Sequence, residues 1–493
     1  MYRDSLHIIL PYITHVINQS LESGVVASNF KAAIVRPLLK KKHLDQNDMK
    51  NYRPVSNLSF VSKILEKVVL KQIDEYLNKN NLKGNFQSAY KRKHSTETAL
   101  VKVQSDLLNA ADEGKLSLLA LLDLSSAFDT IDHRILLKRL ELSFGIKGTV
   151  LKWFESYMSN RTQSVSIDGN KSNPSILHFG VPQSSVLGPI LFSLYSQPVH
   201  DIINDHLFNN HIYADDTQLY KSVDIAQLPY AITSLDLCVS HVSSWMAANK
   251  LKLNESKTEV MLVGTKNKVE AANIRCITLC NENITVVDRV KNLGVIMDSN
   301  LSMDNHVAHL RKICYMELKR IAHIRPYLNP DTTNKLICSF ILTKLDYCNA
   351  LQAGLPLSHL NRLQQIQNHA ARLVTKTPKR EHITPILKQL HWLPVKARID
   401  YKIATLTYQC LNDKDYPVYL KDSVSKYTPT RQLRSTNKIL IKKPKTNLKT
   451  FGHRAIQSQA ADIWNVLPQD LQFAESLSTF KSNLKSHYFK ICY

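Results

Sequence analysis

The segment LSLLALLDL at residues 116–124 restricts the fold more than any other part of this 493-residue chain. It is short, almost continuously apolar, and preceded by Gly114. Such a run reads as a strand buried on both faces. A core large enough to hold it is available, because 44% of the residues are hydrophobic and only 21% are charged. Asp123 stands at the end of this run. An unpaired buried carboxylate is costly, so Asp123 needs a partner or a task. Taken alone, it fits a capping or ion-paired residue.

Around the strand the pattern is mixed. Leu6, Ile9, Leu10, Ile13, Val16, Ile17 and Leu21 form a helical stripe over 6–22, with Pro11 near its start. The segment 31–53 is basic and reads as a solvated loop. Ser95 suits the cap of a helix that begins near Thr96 and stops near Gly114, with Glu97 favourably placed in its first turn. A further helix is expected around 132–142. The segment NNHIYADDTQLYK at 209–221 reads as a hairpin with Asp215 and Asp216 at its turn. Helical stripes dominate 304–324 and 359–376. At roughly 100–200 residues per domain the chain has room for about three units.

Lys and Arg number 64 against 41 Asp and Glu, a formal charge of +23. This surplus points to a polyanionic partner, nucleic acid or an acidic membrane face. It is uneven: residues 391–493 carry a net +10, and 426–449 hold eight basic residues and no acid. The eight cysteines show no paired framework and read as mostly buried thiols of a reducing compartment. Cys276 and Cys280 lack the second pair of a zinc finger, so a buried-thiol reading is preferred. The longest apolar run falls far short of the ~18 residues a membrane span needs. No secretory signal is visible at the N-terminus.

Adjacent acids at a turn are usually only turn residues. If the 116–124 strand pairs with the hairpin, however, Asp123, Asp215 and Asp216 meet at one end of a sheet. Three close carboxylates repel one another unless cations lie between them. Hard oxygen ligands suit Mg²⁺ with phosphates completing its shell, and a pair of such ions serves in-line phosphoryl transfer.

YADDTQLY at 213–220, LLDLSSAFDTIDH at 121–133, GVPQSSVLGPILFSLY at 180–195 and NYRPVSNLSFVSKILEK at 51–67 carry a family resemblance. So do FQSAYKRKHSTETAL at 86–100, WMAANKLKLNESKTE at 245–259 and LHWLPVKARIDYKI at 390–403. Together, in this order, they resemble the reverse transcriptases of non-LTR retrotransposons, LINE-like elements of the jockey and chicken-repeat type. The resemblance runs from about residue 25 to the end.

It implies an α+β, right-hand polymerase fold: fingers, a palm with an antiparallel sheet, a helical thumb, and a basic, mainly helical C-terminal domain. The expected boundaries are an N-terminal helical extension at 1–30, fingers and palm at 31–265, a thumb-like connection at 266–390 and the C-terminal domain at 391–493. It implies RNA-templated extension of a DNA 3′ end by dNTPs with two Mg²⁺ ions, or Mn²⁺ in their place. Partners are then element RNA, primer or target DNA and dNTPs, with no membrane, in nucleus and cytoplasm.

By the same resemblance Asp123 and Asp215 bridge the metals and Asp216 supports them. Lys257 protonates departing pyrophosphate or is a plain surface lysine. Arg53 grips the triphosphate, with Lys41 as a second contact and Lys40 and Lys42 as alternatives to it. Phe128 excludes a 2′-hydroxyl or packs in the core, Gln183 faces template and nucleotide, and Tyr213 lies near the primer end. Asn292, Leu293, Gly294 and Val295 resemble the primer-gripping element. Lys438, Lys442, Lys443, Lys445 and Lys449 hold nucleic acid by phosphate contacts.

Two departures stand out. The chain begins almost at the fingers, so the endonuclease that precedes the polymerase in active members is expected to be missing. In the family's GVPQGSVLGP loop, Ser184 replaces glycine, which suits positions of positive φ or close backbone approach. The alternative function is therefore an impaired element remnant that binds nucleic acid without polymerising.

Overall fold

The computed structural model describes residues 6–41, 44–84, 86–124, 128–254, 257–427 and 438–493. The first helix, α1 (Leu6–Ser23), matches the apolar stripe and packs on α5 (Gly148–Met158). The segment expected to be a basic loop instead forms β1 (Ala32–Leu39) and β2 (Tyr52–Asn57), an antiparallel pair. Ala33 and Val35 are buried on one face of β1 and Arg36 is exposed on the other, while Lys40, Lys41 and Lys50 lie in the connection between the two strands. β4 (Arg161–Ile167) joins β1 in parallel and completes a small fingers sheet with β5 (Asn170–Lys171) and β6 (Ser175–Leu177).

The helix α2 (Phe60–Lys79) follows β2, capped by Ser59. Ser95 then caps α3 (Thr96–Asp112) in a capping box with Thr98. Gly114, at φ +77°, turns the chain directly into β3 (Leu116–Leu122). This strand is central in a four-stranded antiparallel sheet of order β7 (Asn209–Tyr213), β8 (Asp216–Val223), β3 and β9 (Glu259–Val263).

Alternation divides the sheet's two faces. Leu119, Tyr220, Met261 and Val263 join a core built with α3 and the later helices. Leu118, Ala120, Leu122, Leu219, Val260 and Leu262 join the core on the side of α2, α4 (His133–Leu142), α5 and α6 (Gly188–Ser196). The fold is α+β, with the right-hand division into fingers, palm and helical thumb.

Past residue 265 the expected helices Asp304–Ile324 and Leu357–Thr375 are present. Two hairpins precede them: β10 (Cys276–Leu279) with β11 (Glu282–Thr285), and β12 (Arg289–Asn292) with β13 (Val295–Asp298). Of the eight thiols only Cys238, Cys314 and Cys348 are buried, and Cys276 is exposed. The cysteines of edge strands and helix margins lie at the boundary of the core, not inside it. Among the described residues no helix is long and apolar enough to cross a membrane.

Candidate active site

The register settles where the acids lie. β3 and β8 run antiparallel, with Leu122 opposite Thr217, so Asp123 emerges beside Asp216. β7 and β8 close with Tyr213 opposite Asp216, leaving Ala214 and Asp215 as a two-residue turn. Ala214 has φ +58°, the first turn position, where a II′ turn favours glycine. All three acids thus stand at one end of the palm sheet.

Their electrostatics reflect this crowding. Burial, then the charges of Asp215 and Asp123, push Asp216 up to about 6, and Lys257 acts against the rise. Asp215 is also raised, by burial and by Asp123, with Lys257 and Arg53 opposing. Arg53 itself is exposed on β2. Lys257 Nζ lies 2.8 Å from Asp123 Oδ2, so this lysine is ion-paired with the first acid. Asn254 donates its backbone N–H to the Asp123 carbonyl at 2.9 Å.

Among the described residues no three His, Cys, Asp or Glu side chains are grouped closely enough to hold a metal by themselves. The donor set nevertheless fits a hard divalent cation. It consists of carboxylate oxygens, the hard ligands such an ion takes, and burial followed by mutual repulsion raises Asp215 and Asp216. Asp123, Asp216, Lys257, Glu259, Lys291 and Asn292 line a common cleft at this sheet end.

Residues 39–297 of the chain match the family described as reverse transcriptase (RNA-dependent DNA polymerase). The chain belongs to the reverse transcriptases. It is 24% identical over 401 residues to a probable RNA-directed DNA polymerase from transposon BS of Drosophila melanogaster, covering 79% of this chain and 43% of that protein. It is 25% identical over 381 residues to the RNA-directed DNA polymerase from mobile element jockey of the same species, covering 75% and 40%. The chain thus spans about four tenths of the length of these relatives. A solved apo telomerase from Candida tropicalis, truncated from its C-terminal domain, aligns at 12% identity and a TM-score of 0.39 over 60% of each chain.

Of the other expected site residues of this reverse transcriptase, Asn292 and Leu293 line the same cleft, and Phe128, Gln183, Lys41, Tyr213 and the C-terminal lysines do not. Phe128 is half-buried, its ring 5.1 Å from that of Phe192, and its carbonyl accepts the Val181 N–H at 2.9 Å. Gln183 spans fingers and palm: its carbonyl accepts the Ser56 N–H at 3.0 Å, and its amide donates to both Asp129 oxygens at 3.0 and 2.8 Å. Ser184 has φ +82°. Lys41 is exposed beyond the end of β1, and Lys40 donates to the Lys50 carbonyl at 2.6 Å. Lys42 lies outside the described residues.

Tyr213 ends β7, half-buried near Cys348. The 292–295 segment is the β12–β13 turn, with Leu293 and Gly294 both at positive φ. Asn292 is buried and donates to Gln218 Oε1 at 2.8 Å. The Tyr347 hydroxyl donates to the Leu293 carbonyl at 2.7 Å. Lys438, Lys442, Lys443, Lys445 and Lys449 are all exposed, and Lys443 pairs with Asp462 at 2.5 Å. Arg431 and Arg434 of the same basic run lie outside the described residues.

Two supporting residues escaped the sequence reading. Glu66 on α2 is 1% exposed and accepts the N–H groups of Val186 (2.5 Å) and Leu187 (3.1 Å), the loop that leads into α6. Burial raises its carboxyl, opposed by those amides and by Arg161. Its signal was an acid beside Leu65 and Val69 on the buried side of a helix. Gln87 lies inside the quoted FQSAY motif and reaches the backbone of Ala214.

Proposed function

We propose that this chain is the polymerase of a non-LTR retrotransposon, extending a DNA 3′ end on an RNA template with dNTPs. What carries the reading is the meeting of Asp123, Asp215 and Asp216 at one end of the palm sheet, with Lys257 2.8 Å from Asp123. Asp123 and Asp215 would hold the catalytic ions, with Asp216 in support. When bound, two divalent ions, Mg²⁺ or Mn²⁺, activate the primer 3′-hydroxyl and stabilise charge on the transferring phosphoryl group.

The primer oxygen forms a bond to the α-phosphorus while the bond from that phosphorus to the pyrophosphate oxygen breaks. The hydroxyl proton is lost to solvent, and Lys257 supplies one to the departing pyrophosphate. Arg53, with its bidentate guanidinium, and Lys41, as a point charge, hold the triphosphate. Phe128 closes the space a 2′-hydroxyl needs, Gln183 faces the template pair, and Tyr213 backs the primer end. The exposed lysines of 438–449 hold RNA or target DNA by phosphate contacts, in the nucleus and cytoplasm where both occur.

The test is primer extension on poly(rA)/oligo(dT) with dTTP and Mg²⁺. The purified chain is expected to extend, and Asp215→Asn to fall to background while still binding RNA. Extension by Asp215→Asn at the parent rate overturns the acid assignment. A second reading, binding without turnover, draws on the positive φ of Ser184. RNA binding with no extension by the parent decides for it.

A further inference from the structure

The palm hairpin ends in a turn that its own hydrogen bonds do not complete. β7 is an edge strand, and the N–H and C=O groups of its outer side need partners. The segment 86–88 supplies them for Ile212: Ile212 N donates to the Phe86 carbonyl at 2.8 Å, and Ser88 N donates to the Ile212 carbonyl at 3.0 Å. A fifth strand would continue past this point and pair with Ala214. It does not, because the chain swings away at Tyr90, whose φ is +60°. The Gln87 side chain takes the place of the missing peptide. Its Oε1 accepts the Ala214 N–H at 3.1 Å, and its Nε2 donates to the Ala214 carbonyl at 3.3 Å. The Ala89 N–H also donates to that Oε1 at 2.9 Å and so fixes which way the amide faces.

The residue gripped in this way is the one that most needs holding. Ala214 is at φ +58° without the side-chain hydrogen bonding that lets Asn or Asp rest there. It immediately precedes Asp215. We infer that Gln87 is a positioning residue that holds the Ala214–Asp215 turn in the conformation that keeps Asp215 at the sheet end beside Asp123 and Asp216. The inference deepens the polymerase reading and rests on it for its kinetic consequence. Backbone pairing of 86–88 with Ile212 and the Ser88 contacts to His211 and Tyr419 keep the segment attached without the Gln87 amide. Side-chain variants therefore test the grip and not the fold.

Gln87→Ala frees both polar groups of Ala214. Gln87→Glu keeps the acceptor but sets a carboxylate oxygen against the Ala214 carbonyl and adds charge beside the acids. In primer extension both are expected to lower kcat roughly tenfold or more, since small misplacements of reacting groups are costly. KM for dTTP and RNA affinity should stay within about twofold, because the Gln87 amide is engaged with the Ala214 and Ala89 backbone. Adding Ala214→Gly to Gln87→Ala should recover part of the loss, because glycine holds a positive φ unaided. A residue that merely stabilises the fold would not be rescued by glycine in a turn.

Hydrogen–deuterium exchange supplies a readout without activity. The peptide covering 213–216 should exchange faster in Gln87→Ala, with β3 and β9 unchanged. Parent-like kcat together with parent-like exchange at 213–216 overturns the inference. If the parent itself does not extend primers, the polymerase reading fails, and the exchange result still decides the grip.

Discussion

Ser184 is the third residue of a turn in which the Ser185 N–H donates to the Pro182 carbonyl at 3.0 Å. Its φ of +82° is the value the third position of a type II turn requires, and glycine is the residue that takes it freely. The resemblance had marked this position as a glycine in the family's loop, and the backbone supplies the reason. Serine there carries strain of about 1 kcal/mol. Ser184→Gly is expected to raise unfolding stability by about that amount in urea denaturation. Because Gln183 next to it links Ser56 to Asp129, a relaxed turn should also raise extension severalfold, with RNA affinity unchanged. Equal stability and equal rate would make Ser184 neutral. At this scale residue identity could be read from the chain, but the strain needed the dihedral angle.

At the scale of the element, β7 carries both the catalytic turn and a fully buried histidine. His211 Nε2 lies 2.8 Å from Ser88 Oγ, and its Nδ1 has no hydrogen-bond partner among the described residues. Burial, with lesser contributions from His94, Lys102, Lys91 and His200, pushes it down from 6.5 to about 3. The folded strand therefore holds His211 neutral. Below about 6.5 the unfolded chain takes up a proton that the folded chain refuses, so stability falls with pH until about 3. His306, pushed down to about 4 chiefly by burial, acts in the same direction. Thermal melts of His211→Gln between pH 7 and 4.5 should show a shallower loss of Tm than the parent. Parallel curves would mean that His211 is not the titrating group. The strand β3, the Ser95 cap of α3 and the acid-bearing hairpin were legible because periodicity and caps are local. β1 and β2 were not, because the basic connection between them, with Lys40, Lys41, Lys42 and Lys50, dominated the reading of the whole segment.

Across the whole molecule, α3 ties the palm to everything after it. Asp112 at its end accepts the N–H groups of Asn447 and Leu448, with Leu448 at 2.6 Å. A Cβ on Gly452 would lie 2.4 Å from the Asp112 carboxyl carbon, so the chain can approach only with glycine there. Lys402 pairs with Glu97 at 3.0 Å and Lys93 with Asp413 at 2.5 Å. Trp464 and Phe480, both fully buried, share one core with Leu107, Tyr220 and Met261 of the palm side. The basic 391–493 region is thus packed into the polymerase and not suspended from it. Removing 391–493 is expected to leave an aggregating protein without a cooperative melt, since it opens this core to water. A soluble truncation with a sharp transition would show that the palm closes its own core.

What the chain determined alone is local in origin. The apolar run before Asp123, the Ser95 cap and the turn acids follow from patterns a few residues wide, and the motif order carried the family. What only the tertiary structure decided joins distant residues: Lys257 on Asp123, Glu66 under the 186–187 amides and Gln87 on Ala214. No periodicity encodes such pairs. They depend on how strands register and where a segment leaves a sheet, and that is fixed by the packing of the whole chain.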